Sequence, residues 1–162
     1  ITIIDPPAHG TFISGMEYPM LITTLSTVLL PEGFKSTETL VIHEFVHQYF
    51  MQVVASNEQE EPWLDEGITN YYEGRIMDEL YGPRTSMIDE CGVEIGNFEF
   101  TRHGFFNSGH EKIAPNTTLG WQLPAGSYTS MSYNKVALWM RTLEGLIGTE
   151  TMDEVMRMTT EI

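Results

Sequence analysis

Cysteine is almost missing from this sequence. Cys91 is the only one in 162 residues, so no internal disulfide can form and the fold cannot be a stapled scaffold. A lone cysteine of this kind is expected to be a small buried apolar residue. Basic residues are scarce as well: 8 Lys and Arg stand against 23 Asp and Glu, giving a net charge of −15. That balance argues against a nucleic-acid partner, because neutralising phosphates requires clustered cations. It argues equally against a basic helix lying on a membrane surface. No apolar run approaches the ~20 residues needed to span a bilayer, so no membrane segment is expected. Internal repeats, low-complexity tracts and a dividing linker are also lacking, which points to a single domain over residues 1–162. The chain opens at Ile1 in an apolar run instead of at Met. It therefore reads as part of a longer protein whose compartment the sequence leaves open.

What is present is an ordinary folded composition, 41% hydrophobic and 11% aromatic. Strands are expected over residues 1–4, 11–13 and 20–30, the last ending at Pro31-Glu32-Gly33. Ser36 or Thr37 reads as a helix cap, with Glu38 in the first turn. The apolar spacing from Leu40 to Val54 predicts a helix over about 36–55 with most faces buried. A second helix is expected from near Leu64 to Tyr81, before Gly82-Pro83. Residues 84–95 read as helical and 96–126 as irregular. A further helix is expected over about 130–147, and Thr151 with Glu154 fits a capping box for a last one.

The chemistry concentrates in His43-Glu44-Phe45-Val46-His47, an H-E-x-x-H string on the first predicted helix. Residues four apart share a helix face, so both imidazoles can reach one ion. Zinc suits imidazole nitrogen. Glu44 stands one step round the helix, in otherwise apolar surroundings, where a charge needs a partner. Eighteen residues separate His47 from Glu66, which lies within Trp63-Leu64-Asp65-Glu66-Gly67. A loop and an antiparallel helix can return that carboxylate to the ion. Two His and one Glu leave a fourth position open for water, the arrangement of catalytic zinc.

At these residues the sequence resembles the aminopeptidase N-like zinc peptidases, the gluzincin family that also includes the leukotriene hydrolases. H-E-x-x-H, an eighteen-residue gap and W-x-x-E-G are all present. The resemblance implies one Zn2+, held by His43, His47 and Glu66, with Glu44 as catalytic base. Gly15-Met16-Glu17-Tyr18-Pro19 resembles the family's G-x-M-E-N strand motif, offset by one and with Tyr18 in place of Asn. It implies that Glu17, with Met16 and Gly15 beside it, holds the substrate's free amino terminus. Ser132-Tyr133-Asn134-Lys135-Val136 resembles the family's Y-x-K-G helix entry, with Val136 in place of Gly. It implies that Tyr133 hydrogen-bonds the oxyanion of the tetrahedral intermediate. Tyr128 stands where leukotriene hydrolases also carry a tyrosine, either lining the pocket or packing in the core. Glu73, seven residues after Glu66, corresponds to a family carboxylate that supports a zinc-bound histidine, and Asp65 competes for that role.

The implied function is a zinc-dependent aminopeptidase acting on peptides with a free amino terminus. The alternatives are an endopeptidase or epoxide hydrolase of the same fold, or a non-catalytic binding module on it. The implied fold is α+β and mostly helical, a thermolysin-like zincin domain with a small amino-terminal β-sheet. In the family a β-domain precedes this region and a helical domain often follows, so other domains of the parent chain are expected partners and the piece alone is expected to hydrolyse little. His9, His103 and His110 lie in loop-like sequence without ligand spacing and are expected to make only local contacts.

Overall fold

Residues 1–7, 15–26, 29–110 and 113–158 are described by the structure, a computed structural model. The strand expected at 11–13 and His9 fall outside them. The first sheet has three strands in the order β1-β3-β2, where β1 is Thr2–Ile4, β2 is Met16–Tyr18 and β3 is Leu21–Thr23. The central β3 runs parallel to β1 and antiparallel to β2, with Glu17 opposite Ile22. The strand expected over 20–30 is thus only three residues long. Its ladder ends with Thr24 N–H donating to the Ile4 carbonyl at 2.9 Å. Beyond Ile4 the partner strand runs into Asp5-Pro6-Pro7, and proline has no N–H to continue the pairing.

Helix α1, Ser36–Phe50, packs against this sheet. Two glutamines fasten the β2–β3 hairpin to it. Gln48 accepts from Met20 N–H at 2.8 Å and donates to the Tyr18 carbonyl at 3.1 Å, while Gln52 donates to the Glu17 carbonyl at 2.7 Å. The short strand carrying Glu17 is thereby held over the face that carries His43, Glu44 and His47. Two expectations for α1 fail. Its N-cap is Lys35, with no side-chain capping bond. One flank is open, because Phe45 and Tyr49 are exposed while His43, Glu44, Val46, His47 and Phe50 are buried.

A π-helical turn, Trp63–Gly67, leads directly into α2, Ile68–Tyr81, which stops at Gly82 (φ 85°). The region expected to be helical over 84–95 is a hairpin instead, β4 Ile88–Glu90 and β5 Val93–Ile95. Its two-residue loop, Cys91-Gly92, has positive φ at both positions (51° and 81°), the geometry that matches strand twist in tight hairpins. Cys91 is consequently exposed at a turn tip, not buried. The stretch expected to be irregular contains helix α3, Asn97–Asn107, whose buried Asn97, Thr101 and Phe105 lie at four-residue spacing. Its Asn ends and interior Gly104 hide that periodicity.

A second π-helical turn, Thr129–Asn134, enters α4, Lys135–Ile147, and Gly148 (φ 87°) separates this from α5, Thr149–Met158. Thr151 therefore lies inside α5 and not at its cap. The core joins α1, α2, α4 and α5 through Val46, Phe50, Tyr71, Val136, Ala137, Met140, Met152 and Met156. Gly67 sits hard against this core. A Cβ there would overlap the Val136 side chain and come within 2.7 Å of the Ser132 carbonyl. Its bare backbone lets the two π-helical turns approach, and these carry Glu66 and Tyr133. No helix among the described residues is long and apolar enough to cross a membrane.

Candidate metal centre

The fold brings three ligand-type atoms to one point. His43 and His47 lie one turn apart on α1, and their Nε2 atoms are 3.1 Å from each other. Glu66 Oε2 lies 3.3 Å from His43 Nε2 and 3.2 Å from His47 Nε2. A tetrahedral zinc ion with bonds of about 2.0–2.1 Å has ligand-to-ligand edges of about 3.3–3.4 Å. The triangle is therefore close to one face of such a tetrahedron. The chemistry of the donors fits as well, since each ring has a carboxylate beside its other nitrogen, and His47 Nδ1 also has Thr69 Oγ1 at 3.3 Å. Glu73 Oε2 lies 2.9 Å from His43 Nδ1, and Asp65 Oδ1 lies 2.8 Å from His47 Nδ1. Glu73 and Asp65, competitors in the sequence, each face a different histidine.

π-Helical geometry accounts for the reach of Glu66. One extra residue per turn widens the helix locally and re-aims side chains, and such turns recur at functional sites. Here it buries Asp65, at 1% exposure, behind His47 while Glu66 faces the cleft. The turn at 129–134 does the same for Tyr133, whose ring stacks on His43 at 5.6 Å between centroids and 13° between planes.

The carboxylates around the two rings favour the protonated imidazole. Burial opposes charge on both imidazoles, but Glu66 and Glu73 on His43, and Asp65 and Glu66 on His47, outweigh it and raise both above their ordinary value. Burial would raise the Glu66 carboxyl, yet its bonds to the two histidines hold it down at about 2. Glu44 behaves oppositely. Burial pushes it up to about 7 against the pull of the two imidazoles, with Glu17 and Glu66 adding to the rise. Burial and the charge of Glu66 push the Tyr133 phenol well above its usual range.

A cleft of about 550 Å3 opens over these groups. It gathers Gly15, Met16, Glu17, His43, Glu44, His47, Glu66, Glu73 and Tyr133 from the sequence-derived set. The Gly15 backbone lies so close to the Glu44 carboxylate that a side chain at 15 would displace both it and Leu40. Tyr128 is not in the lining; it is exposed and meets Tyr133 edge-on at 6.1 Å. His103 lies on the exposed side of α3 and not in a loop, and His110 follows that helix; neither lines the cleft. Asn97 and Ser86, absent from the sequence-derived set, stand behind Glu73. Asn97 Nδ2 donates to Glu73 Oε1 at 2.7 Å, and Asn97 N–H donates to Ser86 Oγ at 2.7 Å. Nothing in the sequence marks them, since the hairpin and α3 that bring them there are not expected from it.

The family model described as the Peptidase family M1 domain matches residues 5–161. Leucine aminopeptidase 2 of Emericella nidulans is 27% identical over 151 residues, covering 93% of this chain and 24% of that protein. Leucine aminopeptidase 2 of Neurospora crassa is 26% identical over 163 residues, covering 94% and 22%. Aminopeptidase RNPEPL1 of Mus musculus is 39% identical over 77 residues, covering 48% and 10%. The chain thus spans about a quarter or less of the length of these relatives. No solved structure gives a significant match.

Proposed function

The chain belongs to peptidase family M1, and from that premise we propose that it carries the zinc centre of an aminopeptidase, in a thermolysin-like arrangement of small sheet and helices around the cleft. The observation that carries the proposal is the triangle of His43 Nε2, His47 Nε2 and Glu66 Oε2, with edges of 3.1–3.3 Å. These three residues hold one zinc ion. Bound there, zinc supplies Lewis-acid chemistry, polarising a carbonyl and making a water molecule acidic enough to attack near neutral pH. Glu44 Oε accepts the proton of the attacking water and returns it to the leaving amine. Tyr133 Oη donates a hydrogen bond to the carbonyl oxygen as it gains charge. Glu17, held over the cleft by Gln52, binds the substrate's ammonium group, so cleavage falls after the first residue. Glu73 and Asp65 keep the two imidazoles oriented with Nε2 toward the ion. The named relatives are aminopeptidases, which supports the choice of an amino-terminal substrate.

The test joins metal analysis of the purified chain to hydrolysis of aminoacyl anilides by a form of the protein that is active on them. Glu17→Ala is expected to cost about 10–100-fold in kcat/KM on free-amine substrates, the worth of a hydrogen-bonded charge, and little on substrates with a blocked amine. Equal losses on both would remove Glu17 from that role.

Zinc binding is expected to strengthen with pH. The carboxylates beside His43 and His47 outweigh burial and raise both imidazoles above their ordinary value in the metal-free protein, so the ion competes with protons there. Affinity should climb by up to about tenfold per pH unit for each proton displaced, between about pH 6 and pH 8. The stability that the protonated histidines lend the metal-free fold runs the other way, full below their ordinary pKa and lost as pH rises through the raised ones. Chelator competition at several pH values reads the first trend and thermal unfolding of the stripped protein the second. A flat affinity profile would contradict competition between zinc and protons at these rings.

A further inference from the structure

We infer that Asn97 is a positioning residue for the metal centre, acting through Glu73 on His43; the inference rests on the zinc reading above. Glu73 has two carboxylate oxygens and the structure gives each a different partner. Oε2 faces His43 Nδ1 at 2.9 Å, and Oε1 accepts from Asn97 Nδ2 at 2.7 Å. A carboxylate only accepts hydrogen bonds, so the Asn97 amide must turn its NH2 toward Glu73. Its orientation is thus set by chemistry. Asn97 is itself held from behind: its backbone N–H donates to Ser86 Oγ at 2.7 Å, and Ser86 Oγ donates to Asp78 Oδ1 at 2.7 Å.

Glu73, Ser86 and Asn97 are all buried, with exposures of 5%, 0% and 3%. Polar bonds in such surroundings are strong when made and costly when one partner is removed. The chain of contacts therefore runs from the start of α3, through the α2 carboxylate, to an imidazole of α1, and it has no slack. With Oε1 tied down, the Glu73 carboxyl plane cannot swing away from His43, and the His43 ring cannot turn its Nε2 out of the ligand triangle. Groups that orient a ligating histidine are typically worth about 10–100-fold in metal affinity. Asn97 stands one bond further out than Glu73, so its effect belongs at the lower end.

Zinc affinity of the purified chain, measured by chelator competition for wild type, Asn97→Ala, Glu73→Gln and the double variant, tests this. Asn97→Ala is expected to weaken zinc by about tenfold. In the Glu73→Gln background the same change is expected to have little further effect, because the route through Glu73 is already broken. Ser86→Ala, which loosens Asn97 without touching its amide, should weaken zinc by a smaller factor. A merely structural Asn97 would lower the unfolding temperature of the metal-free protein and leave zinc affinity unchanged, or would add its full effect to Glu73→Gln; either result overturns the inference. A wild-type chain that binds no zinc overturns the proposed function, and this inference with it.

Discussion

Glu44→Gln is expected to keep zinc bound and to lower turnover by about 10²–10⁴-fold, the usual worth of a positioned general base. The replacement is isosteric and leaves His43, His47 and Glu66 untouched, so the ligand triangle survives. What it removes is an atom able to take a proton. Glu44 is well placed to do so, being buried at 5% exposure and facing the cleft. The same burial predicts a second signature. A carboxyl whose folded pKa lies above its unfolded value weakens the fold as pH rises from about 4.5 to about 7. A neutral amide does not suffer that loss. The metal-free variant should therefore unfold at the same or a higher temperature than wild type at about pH 8. Metal analysis, anilide hydrolysis and thermal unfolding read the three outcomes. Near-normal turnover would remove Glu44 as base.

Much of this centre is legible in the sequence because its chemistry is local. His43, Glu44 and His47 sit on one helix whose period fixes their mutual placement. A gap of eighteen residues and a tryptophan-to-glycine motif place Glu66, without knowledge that a π-helical turn delivers it. Glu73 and Asp65 read as rivals because helix periodicity puts only one of them on a shared face with Glu66. The widened turn 63–67 breaks that periodicity and gives each carboxylate its own histidine. Asn97 and Ser86 are invisible for a different reason. They depend on a hairpin turned by Cys91-Gly92, where the left-handed position falls on a cysteine instead of the usual Asn or Asp. With that hairpin read as helix, the start of α3 has no reason to lie behind Glu73. Errors at the sheet have a similar origin: the length of β3 is set by where its partner meets two prolines, a long-range fact that the run of Leu, Ile, Thr and Val does not contain.

Tyr133→Phe is expected to lower kcat by about 10²–10³-fold while KM changes little, the pattern of a donor that matters only as the oxyanion forms. The variant is a clean one. It deletes a single oxygen, and the ring that stacks on His43 at 5.6 Å remains. Zinc content and unfolding temperature should therefore match wild type, which separates loss of a donor from loss of packing. A phenol is a donor at neutral pH, and burial and the charge of Glu66 raise this one further in the metal-free chain, so it stays a donor across the working pH range. Tyr128 supplies the comparison. It touches Tyr133 edge-on from an exposed position outside the cleft lining, and Tyr128→Phe should change kcat far less. A KM effect without a kcat effect at Tyr133, or equal losses at both tyrosines, would place the oxyanion donor elsewhere. The donor would then have to come from a group that the cleft does not now present beside the ligand triangle, because Tyr133 is its only lining phenol among the described residues.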